Sequence, residues 1–310
     1  MPTIADVEPV TELLRTLVPA ESLAHGALAV VPLVAPQLPE PGWLTLAEAG
    51  DRVTIGEVSE GGSVPDVTVN NGADRPLLLL DGEELVGAKQ NRILNATVLV
   101  AARSQITIPV SCVEAGRWGY RGRQLVPGDA SLYASLRRKK AEWVSRSIRE
   151  GRGQTTDQGA IWDELADKQS RHGVLSPTRA MRDFYAQFEQ GIEAARAALA
   201  PVSGQTGALV YLSGQWIGGD ILPSPGVFAR AWDRLCPGYA ADAIGTRGTG
   251  PLRPRPPALL RRFETCPVEA VPAVGLGAEY RLTGLRTTGA ALVAEERVAH
   301  LMVFPAFAMP

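Results

Sequence analysis

Two short segments gather most of the side chains able to hold an anion or move a proton. The first runs Asp81-Gly82-Glu83-Glu84-Leu85-Val86-Gly87-Ala88-Lys89-Gln90-Asn91-Arg92, and the second runs Glu114-Ala115-Gly116-Arg117-Trp118. Three cations (Lys89, Arg92, Arg117) against three carboxylates (Glu83, Glu84, Glu114) can bind a phosphate or carboxylate and still supply a general acid or base. In that reading Lys89, Arg92 and Arg117 hold the anion, Glu83 or Glu114 carries protons, Asn91 orients the substrate and Trp118 walls the pocket. Lys89 is open to three roles: anion ligand, nucleophile or electrophilic stabiliser. A patch of salt bridges has the same composition, so a structural role for the same residues stays open.

Strand periodicity brings the two segments together. Over 92–100 the even positions are Arg92, Leu94, Ala96, Val98 and Val100, with Asn95 and Thr97 between them. Over 106–114 the even positions are Ile106, Ile108, Val110, Cys112 and Glu114. Both even faces read as inward. A short connection at 101–105 predicts an antiparallel hairpin with Val100 opposite Ile106 and Arg92 opposite Glu114; shifts by two residues keep the faces. A charge in such a core-facing row needs a partner, because an unpaired buried charge costs about 3–5 kcal/mol.

Further strands are expected at 27–34, 52–58, 64–70, 76–80, 207–212, 279–286, 290–295 and 298–304. Their short spacings in the N-terminal part leave no room for crossover helices. A first helix is expected from Pro9 to Val18. The middle is helical: 131–150, 160–169, and a helix capped by Ser176 with Pro177 in its first turn. Another helix is expected at 224–236. The fold class expected is α+β, with a mainly antiparallel β-sandwich or barrel core and inserted and flanking helices. A single domain over 1–310 is expected, β-rich at 20–125 and 205–310, with a helical insertion at about 129–200.

The 310 residues carry 31 basic and 33 acidic side chains, a net charge of −2, which argues against a dedicated nucleic-acid binder. The basic run Arg137-Arg138-Lys139-Lys140 reads as a solvated helix face or a partner surface. The Arg-rich stretch at 247–262 reads as an arm or lid. No 18-residue apolar run and no leader-like N-terminus occur, so neither membrane insertion nor secretion is expected. Cys112, Cys236 and Cys266 are widely spaced and odd in number, which suggests reduced thiols and a cytoplasmic setting. Cys112 reads as core rather than nucleophile, since no activating His is identifiable. His25, His172 and His300 lack metal-site spacing; no cofactor is expected, and a divalent metal gathered by His300 with Glu295 and Glu296 is left open. Phosphate-loop and dinucleotide motifs are missing.

The string from Asp81 to Asn95, with Ile108-Pro109-Val110-Ser111-Cys112-Val113-Glu114-Ala115-Gly116-Arg117-Trp118, resembles the ADP-ribosylglycohydrolase and rhodanese-phosphatase associated protein domain family. Trp43-Leu44-Thr45-Leu46, Glu57-Val58, Ile161-Trp162, Ser176-Pro177-Thr178 and His300-Leu301 also resemble it, so the likeness spans nearly the whole chain. It implies a predominantly β core, association with ADP-ribosyl-processing and phosphatase domains, and a motif lysine of suspected enzymatic role that corresponds to Lys89. The expectation is therefore an enzyme acting on a small anionic substrate related to a nucleotide or ADP-ribose. The alternative is a non-catalytic binding or assembly module that recognises a protein partner or a second copy, for which the apolar tail at 303–310 offers a contact.

Overall fold

Alternation of buried side chains organises the molecule, a computed structural model that describes residues 2–59 and 65–306. In the strand Leu28–Val34, Leu28 and Val30 join one hydrophobic cluster, and Val31 and Leu33 join another. The strand Gln205–Leu212 divides likewise, with Ala208 and Val210 on one face and Leu209 and Tyr211 on the other. Such two-sided burial requires a sheet covered on both faces. The sheet is nine-stranded and antiparallel, and Arg297–Phe304 lies inside it between Gln215–Ile221 and Thr287–Ala294. Helices Glu8–Thr16 and Pro256–Glu264 cover one face with Val10, Leu13, Leu259 and Phe263. Helices Ala134–Arg149, Glu189–Ala198 and Pro225–Ala243 contribute to the cluster on the other face, where Phe228 and Trp232 lie.

The second body is a closed six-stranded barrel. Around it run Ser104–Cys112, Asp66–Asn71, Val53–Glu57, Arg121–Ser131, Glu83–Ala88 and Arg92–Leu94, which returns to the first. Closure leaves no unpaired edge. Ile55, Val67, Val69, Leu85, Leu94, Ile108, Val110 and Leu125 share its core with Leu77, Leu79, Val98 and Val100 of a small three-stranded sheet. The fold is thus α+β, with both a barrel and a layered sheet.

The hairpin expected from 92–114 is present only at one end. Leu94 faces Val110 and Arg92 faces Cys112, one two-residue shift from the expected register. Beyond Leu94 the chain leaves the barrel: Val98–Val100 pairs with Leu77–Leu79, while Ser104–Pro109 pairs with Asp66–Asn71. The even faces are inward as expected, so Arg92 does point along the barrel core. Two barrel strands, Glu83–Ala88 and Arg121–Ser131, lie outside the strands expected from the sequence, because their polar, Gly- and Pro-containing segments carry no clear alternation.

The helical middle comprises Ala134–Arg149, Gln158–Arg171, Met181–Gln187 and Glu189–Ala198. Ser176 caps no helix start; its hydroxyl accepts from the Ala180 N–H in the preceding turn, and the helix begins at Met181. Ser224, in contrast, accepts from the Val227 N–H and opens a helix that continues past Pro237 to Ala243. Val303 and Phe304 of the apolar tail complete the core, and residues 307–310 lie outside the described residues. Among the described residues no helix is long and apolar enough to cross a membrane.

Candidate functional site

Strand alternation sends Arg92, Glu57 and Cys112 to the barrel interior at one mouth, continuing the rows of Leu94, Ile55 and Val110. Arg92 is fully buried, and its Nη2 lies 3.7 Å from Glu57 Oε1. This ion pair takes the place of the expected Arg92–Glu114 pair. Arg92 Nη1 donates to Gln90 Oε1 at 3.2 Å, whereas its Nε and Nη2 have no hydrogen-bond acceptor among the described residues. Glu57 Oε2 likewise accepts none.

Lys89 sits in the turn between two barrel strands, with its backbone N–H donating to Glu57 Oε1 at 3.2 Å. Its ammonium lies 5.2 Å from the ring centres of both Trp118 and Tyr120, and Arg92 Cζ lies 5.8 Å from the Trp118 ring. Lys89 is only 8% exposed, while the two rings are about half exposed, so the aromatics cover the cations. Cation–π attraction of this kind contributes about 0.5–2 kcal/mol.

A brace of hydrogen bonds fixes the surrounding backbone. Arg117 Nη1 donates to the carbonyls of Ala88 and Gly119, and its Nη2 donates to Asn91 Oδ1 and to Glu114 Oε2 at 2.6 Å. Glu114 also accepts from Thr178 Oγ1 and the Asn91 N–H. Burial opposes ionisation of Glu114, yet these donors win and hold its carboxyl below the usual carboxylate range. Asn91 Oδ1 additionally accepts from the Gly87 N–H. Of the expected residues, Lys89, Asn91, Arg92, Glu114, Arg117 and Trp118 therefore meet at this mouth.

Glu83 does not meet them. It lies at the far end of the strand Glu83–Ala88, about 17 Å of extended chain away, where its Oε2 accepts from the Leu80 N–H. Burial there pushes its carboxyl above the ordinary range. Burial also pushes the Cys112 thiol up to about 11, which fits a core thiol and not a nucleophile. Sequence reasoning missed Glu57 and Tyr120. Glu57 shares the inward parity of Ile55, a signal available in the strand expected at 52–58.

A second charged cluster joins the barrel to the sheet. Arg137 Nη1 and Nη2 donate to Asp220 at 3.0 and 2.7 Å, and Tyr239 Oη donates to the same carboxylate at 2.6 Å. His300 Nε2 lies 2.9 Å from Asp220 Oδ1, and its Nδ1 lies 2.7 Å from Thr97 Oγ1. Lys140 is hydrogen-bonded to Asp81 and to the Asn95 carbonyl. Asp81, Arg137, Lys140, Asp220, Tyr239 and His300 are all essentially inaccessible to solvent. Arg137 and Lys140 thus correct the solvated-face reading of the basic run: they project into the molecule because carboxylates wait there. His300 is committed to Asp220 and Thr97, while Glu295 accepts from Trp43 Nε1. Among the described residues no group of three or more His, Cys, Asp or Glu side chains is arranged to hold a metal ion.

Fold and site define an α+β protein whose closed barrel carries two buried cations at one mouth beneath an aromatic cover. The chain belongs to the ARG and Rhodanese-Phosphatase-superfamily-associated Protein domain family, ARPP-1, whose model matches residues 16–304. No match to a curated protein was found, and none to a solved structure.

Proposed function

We propose that the protein is an enzyme that binds a small anionic substrate, of nucleotide or ADP-ribose type, at the barrel mouth. The observation that carries this reading is Arg92. Two of its nitrogens, Nε and Nη2, are buried without an acceptor among the described residues, and leaving such donors unmet costs about 1–3 kcal/mol each, more for a charged group. A phosphate or carboxylate supplies the missing acceptors. Lys89 adds a second cation, and the Trp118 and Tyr120 rings give a surface on which a planar group can stack. The anion enters by displacing those rings, which lie on one loop and face solvent.

In this reading Glu57, adjacent to Arg92, moves the proton; Glu114, Asn91 and Arg117 are spent on bracing the loop. The family's description as associated with the rhodanese-phosphatase superfamily is compatible with phosphate chemistry. Half-exposed Trp118 and Tyr120 favour a second reading, in which the same loop recognises a protein partner without catalysis.

Thermal-shift titration with ADP-ribose, nucleotides and sugar phosphates tests the proposal, with Lys89→Ala and Arg92→Met as variants. A concentration-dependent rise in Tm, lost in both variants, supports anion binding. No shift with any of these ligands in the folded wild-type protein overturns it.

A further inference from the structure

Glu84 stands on the barrel wall with its side chain turned outward, because its neighbour Leu85 belongs to the barrel core. It faces a cavity of about 290 Å³ between the barrel and the helices Met181–Gln187 and Glu189–Ala198. The walls carry five carboxylates, Glu84, Asp129, Asp183, Glu189 and Glu193, against one cation, Arg182, although Glu193 is also paired with Arg196 and Asp183 accepts from Ser176 Oγ. That arginine is already engaged: its Nη2 donates to Asp129 at 3.2 Å, and its Nη1 lies 3.7 Å from Glu84 Oε2.

Glu84 is 2% exposed, and its Oε1 has no hydrogen-bond partner among the described residues. The strand opposite makes room for this carboxyl: a Cβ added at Gly128 would fall 2.6 Å from Glu84 Oε2. A buried acceptor without a donor, in a cavity rich in negative charge, calls for a ligand that brings both N–H groups and positive charge. We propose that this cavity binds a small primary ammonium compound, with Glu84 as the central ligand. An ammonium presents three donors and no acceptor, which suits a wall of carboxylates. A volume near the lower end of ligand pockets, about 300 Å³, suits a compact alkylamine and not a nucleotide. The site is thus distinct from the barrel mouth in both location and charge preference.

Isothermal titration calorimetry of the full chain with butan-1-amine at about pH 9, where the Glu84 carboxyl is ionised and the amine still carries its proton, with butan-1-ol as neutral control at matched ionic strength, tests the assignment. The amine should give saturable heat and the alcohol none. Glu84→Gln should weaken amine binding by about tenfold or more, the loss of one charge-assisted contact. Ala186 lies exposed at the cavity rim, so Ala186→Trp should block entry without touching the carboxyl or the core. It serves as a second, independent variant. Absence of saturable heat with wild type, equal saturation by the alcohol, or unchanged amine affinity in the folded variants would each overturn the proposal.

Discussion

Glu84→Gln should make the protein more stable at neutral pH, although it alters a fully buried side chain. Burial first, then Asp129 and Glu114, push the Glu84 carboxyl up to about 8 from 4.5, outweighing Arg182. The folded state therefore holds a proton that the unfolded chain releases. Stability is full below the unfolded value near 4.5 and declines as pH rises towards 8. Each pH unit in that window costs about 1.4 kcal/mol, which gives about 3 kcal/mol by pH 7 and roughly 5 above pH 8. Glutamine keeps the volume and cannot ionise, so it escapes this loss. Urea unfolding of both proteins at about pH 4, 7 and 8.5 measures it, with unchanged m-values confirming a common transition. The two should agree near pH 4 and diverge in favour of the variant as pH rises. A variant destabilised by the same amount at every pH would refute the reasoning: it would mean that Glu84 is ionised throughout and held by Arg182.

Asp220→Asn should cost about 3–5 kcal/mol, because Arg137 would lose its hydrogen-bonded carboxylate and keep only Asp81, 3.6 Å from its Nε; Asp220→Leu combined with Arg137→Met should recover part of the loss relative to Asp220→Asn in urea unfolding. Although burial opposes its ionisation, Arg137 and His300 hold the Asp220 carboxyl well below the usual range. Its contribution is therefore present above about pH 4 and fades as pH falls further, which acid titration of wild type against the double variant should show. At about pH 8 the Cys112 thiol should react with a disulfide reagent only at the rate of protein opening, since it is buried and pushed up to about 11; rapid labelling, followed site by site in mass spectra, would contradict that. Gly87→Ala should lose more than about 2 kcal/mol in urea unfolding, because the residue has φ +122° and its new Cβ would fall 2.6 Å from the Gln124 carbonyl oxygen. Gly151→Ala, with φ +74° but open space around it, should lose only about 1 kcal/mol.

What was legible followed from side-chain parity. The inward direction of Arg92 and Cys112 is correct because a period of two survives any even slip in register. Pairing partners were not legible. At Asn95–Thr97 the chain crosses from the barrel to a separate sheet, and nothing in an uninterrupted apolar alternation marks that departure. An Arg92–Glu114 pair requires the strand to run two residues past its end at Cys112; the chain turns there, and Glu57 from a strand distant in sequence takes the position. The basic run misled for a related reason. Four adjacent cations on a helix look solvated when the carboxylate partners of Lys140 and Arg137, Asp81 and Asp220, lie 59 and 83 residues away. Polar strands such as Arg121–Ser131 escape detection because their burial is decided by neighbours in space.

The helix Ala134–Arg149 has a consequence for how the chain can be divided. Through Lys140 it is tied to Asp81 on the barrel side, through Arg137 to Asp220 in the sheet, and its Ala141 carbonyl accepts from Arg281. Any cut between barrel and sheet leaves each fragment with half of an ion pair meant for the interior. Neither half is then electrically complete alone, so the two bodies are not interchangeable modules to be shuffled separately. Fragments expressed apart should gain structure only when mixed, with the helix acting as the key that recognises both.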